Sequence, residues 1–127
     1  MGNILLIGMG GFLGAILRYW LSGRVQELSG SISYPYGTLV VNISGCFMLG
    51  VLTWLVEARG FFTPELRSLL FVGLLGAFTT YSTFSLETLN LFTVGDTPRA
   101  FLNIASSVVL GLAAVWAGRF LPLLVWR

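Results

Sequence analysis

The sequence has few charged residues, a single cysteine and no histidine. Only 9% of its 127 residues are charged. The lack of histidine removes the commonest general base, metal ligand and pH-sensitive group together. The one cysteine, Cys46, permits neither an internal disulfide nor a thiolate metal site. The seven basic residues, all arginine, form no cluster of the kind that binds nucleic acid. Enzymes and nucleic-acid-binding proteins are therefore disfavoured.

Apolar residues dominate what remains. They make up 56% of the sequence, and the mean hydropathy is +0.89. A soluble domain averages about a quarter charged residues and just under half apolar ones. So few charges cannot cover the surface of a globule of 13.8 kDa with polar groups. The composition predicts one all-α membrane domain, residues 1–127, with a lipid membrane as its surroundings.

Four stretches are apolar enough to cross a bilayer, which takes about 20 residues in a helix. They are predicted at residues 4–21, 38–56, 69–92 and 100–125. Thr63 and Asp96 each precede a proline-containing helix start and are predicted N-caps. Small residues recur at helix-contact spacing in three of the spans, and they predict close packing between helices: Gly10, Gly14, Ser44, Gly45, Gly50, Gly111 and Gly118.

The arginines are divided almost evenly between the two sides of the membrane. The four-span topology places four on one side (Arg59, Arg67, Arg119, Arg127) and three on the other (Arg18, Arg24, Arg99). An excess of basic residues in cytoplasmic loops normally fixes orientation. One interpretation is that seven residues are too few to reveal a bias. The other is dual topology, in which the chain inserts both ways and two copies pair antiparallel.

The third span contains an unusual density of hydroxyl groups. Six of the seven residues from Thr79 to Ser85 bear one, shortly after Gly73 and Gly76. Such residues bond to backbone carbonyls and weaken a helix. We therefore predict a helix broken mid-membrane, with a first half from residue 69 to about 76 and a second half ending at 92. Broken spans commonly form ion or substrate sites. The alternative is that the hydroxyls only join helices to one another.

The polar groups predicted at mid-membrane depth are neutral. Asn42 lies in the second span, and Asn103, Ser106 and Ser107 lie in the fourth, whereas the nearest acid, Glu87, lies in the outer part of the third. Amide and hydroxyl donors suit a small anion, and the positive edges of aromatic rings such as Tyr81 and Phe84 also attract anions. Backbone carbonyls at a helix break suit a hard cation instead.

These residues resemble a known family, the fluoride channels called Fluc or CrcB. The resemblance covers the whole chain and rests most specifically on two segments, GTLVVN at residues 37–42 and GAFTTYSTFS at residues 76–85, followed by Glu87. The family usually has glycine where Ala77 stands and phenylalanine where Tyr81 stands. The resemblance implies a dual-topology homodimer of four-helix subunits with two antiparallel fluoride pores. It also implies a structural sodium ion at the centre of the dimer that is not transported.

The resemblance also implies roles for individual residues. The backbone carbonyls of Gly76 and Thr79, from both subunits, are expected to hold the sodium ion. Arg18 and Glu87 are expected near the pore mouths. The expected fluoride pathway comprises an amide donor, two aromatic rings and a track of hydroxyl groups: Asn42, Tyr81, Phe84, Ser82, Thr83, Ser85 and Ser107.

The function that follows is passive fluoride export across the cell membrane of a prokaryote. Two other classes of membrane protein are alternatives. A small proton-coupled multidrug exporter also has four spans, but its chemistry needs a carboxylate within the first span, and residues 4–21 contain none. A non-transporting scaffold subunit explains the helices and glycines but gives no reason for the hydroxyl-rich stretch.

Overall fold

The computed structural model describes residues 2–60 and 62–125, and every regular element in them is a helix. In chain order these are α1 (Gly2–Ser29), α2 (Tyr36–Arg59), α3 (Pro64–Arg67), a π-helical segment (Ser68–Leu75), α4 (Gly76–Phe78), α5 (Tyr81–Thr93) and α6 (Thr97–Val125). Four helical stretches, with Pro64–Thr93 as the third span, are long and apolar enough to cross a membrane. The prediction of an all-α protein with four spans is confirmed.

The helices extend beyond the predicted spans. The largest difference is at α1, which continues to Ser29, so the first connection is shorter than predicted. The apolar composition indicates where the helix crosses the membrane but not where the helix ends. The polar turns of α1 after residue 21 were therefore not predicted. Within these turns the Gln26 amide donates to the carbonyls of Ser31 (2.6 Å) and Tyr34 (3.1 Å) and accepts from the Gly37 N–H (3.1 Å). One side chain thus holds the loop against the start of α2.

The predicted helix starts at Thr63 and Asp96 are confirmed. The Thr63 hydroxyl accepts a hydrogen bond from the Leu66 N–H at 3.3 Å. The Asp96 carboxylate accepts one from the Arg99 N–H, also at 3.3 Å. Each side chain satisfies a backbone donor that has no partner within its own helix.

Glycines lie where the helices approach most closely. α1 packs along the π-helical segment, and α2 packs along α6. A methyl group on Gly14 would overlap the backbone carbonyl of Leu74, and one on Gly118 would overlap that of Phe47. These contacts bring backbone directly against backbone, as expected for helices that associate in lipid.

The side chains are distributed as in a membrane protein. Large apolar residues face outward: Phe12 is 67% exposed, Trp116 65% and Leu124 77%. Buried positions include the polar residues Thr38, Thr88 and Asn103. Lipid replaces water around such a surface, so the chain is a multi-pass membrane protein.

The third span changes conformation at two threonines. α4 ends at Phe78 and α5 begins at Tyr81, while Thr79 (φ −85°, ψ 149°) and Thr80 (φ −140°, ψ 112°) are extended. The first half therefore continues to Phe78, two residues beyond the predicted end at about Gly76, because Gly76 keeps helical angles (φ −62°, ψ −35°). The π-helical segment upstream was not predicted. Such segments are rare and often lie at functional sites.

Candidate functional site

A groove of about 390 Å³ lies beside the two extended threonines, and we call it the break groove. It is bounded by α2, both halves of the third span and α6. Six of the residues singled out in the sequence line it: Asn42, Gly76, Thr79, Tyr81, Phe84 and Ser107. The remaining lining residues are mostly apolar, and they include Cys46 and Phe71. The fold thus brings together residues from three separate spans.

Asn42 binds the backbone of the break directly. Its side-chain Nδ2 donates to the Thr80 carbonyl at 3.1 Å, and its Oδ1 accepts from the Thr80 N–H at 2.9 Å. Two hydrogen bonds from one amide to the backbone N–H and carbonyl of the same residue hold Thr80 outside the helical ladder. Unpaired backbone groups at membrane depth are costly, so this pairing is what permits an extended residue there. At least one Asn42 N–H is therefore used within the protein.

The break also frees a carbonyl on the preceding turn. In an uninterrupted helix the Thr80 N–H would bond to the Gly76 carbonyl four residues earlier. It bonds to Asn42 instead. The N–H and the hydroxyl of Thr79 both donate to the Leu75 carbonyl, each at 3.0 Å. Backbone carbonyl oxygens such as that of Gly76 are ligands that hard cations prefer. The described residues contain no cluster of three or more histidine, cysteine or acidic side chains that could bind a metal.

The two aromatic residues adjoin each other at the start of α5. The ring centroids of Tyr81 and Phe84 are 5.8 Å apart, with the planes inclined at 49°. Tyr81 is 81% exposed on this single chain, whereas Phe84 is partly buried. Ser82 and Ser85 are also exposed, and the Ser85 hydroxyl donates to the Tyr81 carbonyl at 3.0 Å. A large aromatic side chain thus stands on the outer surface beside the groove.

Thr83 and Arg18 meet in a different groove, of about 370 Å³, which we call the Arg18 groove. It is bounded by α1, α2 and the start of α5, and Thr38 and Thr80 also line it. Thr80 is therefore the residue that lines both grooves. The hydroxyl track predicted as one row is divided: Thr83 lies in the Arg18 groove, while Ser82 and Ser85 line neither.

Glu87 lies in a third groove, of about 520 Å³, together with Gln26, Tyr34 and Thr38. Its Oε1 accepts a hydrogen bond from the Thr38 hydroxyl at 2.7 Å. Its Oε2 is buried and has no hydrogen-bond partner within residues 2–60 and 62–125. Sequence reasoning did not single out Thr38 as a partner. The available signal was its position four residues before Asn42, on the same face of α2.

A buried polar pair joins α5 to α6. The Asn103 amide, only 1% exposed, donates to the Thr88 hydroxyl at 2.9 Å, and this hydroxyl donates to the Phe84 carbonyl at 2.7 Å. Asn103 was noted in the sequence as a donor, but Thr88 was not. The hydroxyl-rich stretch ends before Thr88, which is why it was missed.

The comparisons with known proteins agree with one another. The family model "CrcB-like protein, Camphor Resistance (CrcB)" matches residues 5–119. A protein of Methanosarcina acetivorans named fluoride-specific ion channel FluC 1 is 50% identical over 119 residues, which is 94% of this chain and 89% of that protein. One of Dehalococcoides mccartyi, named fluoride-specific ion channel FluC, is 48% identical over 95% of this chain and 92% of its own length. A Shewanella protein of the same name is 46% identical over 94% of each.

Proposed function

The chain belongs to the CrcB family, an ion-channel family and not one of enzymes, and from this premise we propose that it conducts fluoride across a membrane. The observation that carries the proposal is the 50% identity, over 94% of the chain, to a protein named as a fluoride-specific channel. The resemblance inferred from the motifs is the same family, so that inference is confirmed.

The break groove is the proposed fluoride pathway. Fluoride holds its water tightly, so a pore must replace that water with several aligned donors and still release the ion. Ser107, Asn42, Tyr81 and Phe84 line the groove, and their hydroxyl, amide and ring-edge groups are the proposed donors. The family resemblance also assigns Ser82, Thr83 and Ser85 to the pathway, with Arg18 and Glu87 toward its mouths. On this single chain Thr83 and Arg18 line the Arg18 groove, Glu87 lines the third groove, and Ser82 and Ser85 line none of the three. Conduction along the pathway is proposed to be passive.

The functional unit is proposed to be an antiparallel homodimer with two pores. Tyr81 and Gly76 are exposed and both line the break groove, so a second copy packed on this face would cover them. The near-even arginine distribution supports insertion in both orientations, although one member of that set, Arg127, lies outside the described residues.

A sodium ion at the centre of the dimer is proposed as a structural element. Backbone carbonyls of Gly76 and Thr79 from each subunit would hold it, supplying the hard oxygen ligands that such an ion prefers. The fit rests on the Thr80 N–H, which bonds to Asn42 and so leaves the Gly76 carbonyl without its usual helical partner. The ion would link the broken third spans of the two subunits, and it would take no part in conduction.

The proposed role is to lower cytoplasmic fluoride in a prokaryotic cell from the plasma membrane. A membrane potential that is negative inside drives an anion outward with about 2.3 kcal/mol per 100 mV. No other energy source is needed.

The test is fluoride efflux from liposomes that contain the purified protein. Vesicles are loaded with potassium fluoride plus sodium, diluted into fluoride-free buffer, and monitored with a fluoride electrode after valinomycin is added. Rapid efflux from protein-containing vesicles, with far slower loss of chloride from matched vesicles, is expected. Efflux no faster than from protein-free vesicles would refute the proposal. Repeating the assay after sodium has been removed during purification tests the structural ion separately.

A further inference from the structure

Thr88 and Asn103 lie one helical turn away from two residues of the break groove. On α5, Thr88 follows Phe84 by four residues, and on α6, Asn103 precedes Ser107 by four. Residues four apart lie on the same face of a helix. Phe84 and Ser107 line the break groove, whereas Thr88 and Asn103 are buried and hydrogen-bonded to each other. The hydrogen-bonded pair thus lies one helical turn from the two groove residues, along the same faces of α5 and α6.

The Thr88–Asn103 bond fixes how far α5 can slide or rotate against α6. Asn103 is 1% exposed and Thr88 is 7% exposed, so neither can exchange its partner for water. The Thr88 hydroxyl is also anchored to the Phe84 carbonyl at 2.7 Å. On the other side, the Ser106 hydroxyl bonds to the Asn103 carbonyl at 3.3 Å and to the Tyr34 hydroxyl at 2.8 Å. A row of polar contacts therefore runs from Tyr34 in the first connection, through Ser106, Asn103 and Thr88, to the backbone carbonyl of Phe84.

We propose that Thr88 and Asn103 are positioning residues for the ion pathway: their hydrogen bond holds the Phe84 ring in register with Ser107. The inference rests on the proposed fluoride conduction, but the geometry it describes does not depend on which ion passes. A binding wall built from two helices must keep its groups aligned to within a fraction of an ångström, and supporting hydrogen bonds of this kind provide the alignment.

The first experiment replaces the hydroxyl of Thr88 and compares it with a matched control. Thr88→Val removes the hydroxyl at nearly constant volume, whereas Thr88→Ser retains it. Thr93→Val is the control, because Thr93 makes the same bond to a carbonyl four residues earlier (Leu89, 2.9 Å) but is exposed on the same helix. Fluoride efflux is expected to fall about tenfold in Thr88→Val, the scale of one lost buried hydrogen bond, and to stay near wild type in the other two. Normal efflux in Thr88→Val would overturn the proposal.

The second experiment separates positioning from stability. Thr88→Val alone leaves the Asn103 amide buried without its partner and lowers stability, whereas replacing both partners with apolar residues is nearly neutral. The double variant Thr88→Val/Asn103→Leu is therefore expected to regain thermal stability but not fluoride efflux. Recovery of efflux together with stability would show that the pair has only a structural role.

The third measurement does not depend on fluoride. Cys46 lines the break groove and is the single cysteine of the sequence. Its rate of modification by a small thiol reagent therefore reports on the groove alone. The rate is expected to change in Thr88→Val and in the double variant but not in Thr93→Val. If the wild-type protein failed to conduct fluoride, a changed rate would still support the positioning role, and an unchanged rate would refute it.

Discussion

Two helix interfaces in this chain are built in opposite ways. Where α1 meets the π-helical segment, Gly10, Gly14 and Gly73 bring the two backbones into direct contact without polar side chains. Near the break, α2 holds Thr80 through the Asn42 amide, and α6 holds Thr88 through that of Asn103. Close packing of backbone against backbone holds the first interface together. Directional bonds hold the second, and the groove that we assign to the ion lies there.

The two interfaces are therefore expected to respond differently to substitution. Overfilling the glycine interface prevents the helices from meeting, so folding is lost. Removing a polar partner near the break leaves the helices packed but misaligned, so conduction is lost first. Four substitutions, taken from the largest expected effect to the smallest, test this distinction.

Gly14→Leu is expected to have the largest effect. Any side chain at this position overlaps the Leu74 carbonyl, and backbone cannot give way as a flexible side chain can. Overpacking typically costs about 1–3 kcal/mol, and backbone overlap lies at or beyond the upper end. The yield of monodisperse protein in detergent should collapse. Gly8→Leu on the same helix is the control, since an added Cβ there meets no atom within 4 Å. Equal yields from the two variants would contradict the close packing.

Asn42→Leu is expected to abolish fluoride efflux while leaving a folded protein. It removes both hydrogen bonds to Thr80, and each buried group left without a partner costs about 1–3 kcal/mol. Asn42→Asp keeps an acceptor for the Thr80 N–H but loses the donor to its carbonyl, so its efflux should also be low. Gel filtration and thermal melting show whether folding persists. Wild-type efflux in Asn42→Leu would mean that the break does not need its amide.

Thr38→Val is expected to have a smaller effect on efflux. It removes the 2.7 Å bond to Glu87, whose other carboxylate oxygen is already buried without a partner among the described residues. Fluoride efflux is expected to fall about threefold to tenfold, the scale of one lost hydrogen bond to a carboxyl group. Thr53→Val is the control, because the exposed Thr53 hydroxyl bonds only to the carbonyl of Leu49 in its own helix. Wild-type efflux in Thr38→Val would show that its bond to Glu87 does not support the pathway.

Glu57→Gln is expected to change almost nothing. Glu57 and Arg119 form an ion pair at 2.8 Å, but their side chains are 52% and 46% exposed. Such pairs contribute about 0–1 kcal/mol because solvent screens the charges. The melting temperature and the efflux should both stay near wild type. A marked loss of efflux would show that this end of α2 affects the pathway.

The sequence was sufficient to predict an all-α chain with four helices that can cross a membrane. Apolar runs mark membrane crossings reliably, and glycine spacing predicted contacts that the structure contains at Gly14 and Gly118. The hydroxyl-rich stretch placed the irregularity in the third span to within two or three residues of Thr79 and Thr80.

The partners of individual polar groups could not be predicted. That Asn42 bonds to Thr80, and Asn103 to Thr88, depends on how far each helix slides and turns against its neighbour. Periodicity along one helix carries no information about that register. The π-helical segment was missed for a related reason: Ser68–Leu75 is an ordinary apolar run, and its wider turn has no signature in composition.

The pairing of Asn42 with Thr80 has a consequence for the conditions under which the protein can work. The primary amide of Asn42 and the two peptide groups that flank Thr80 contain no group that gains or loses a proton across the physiological pH range. The break is therefore held equally well in acidified and in neutral surroundings. A support built from neutral dipoles keeps the third span in shape when its surroundings turn acidic.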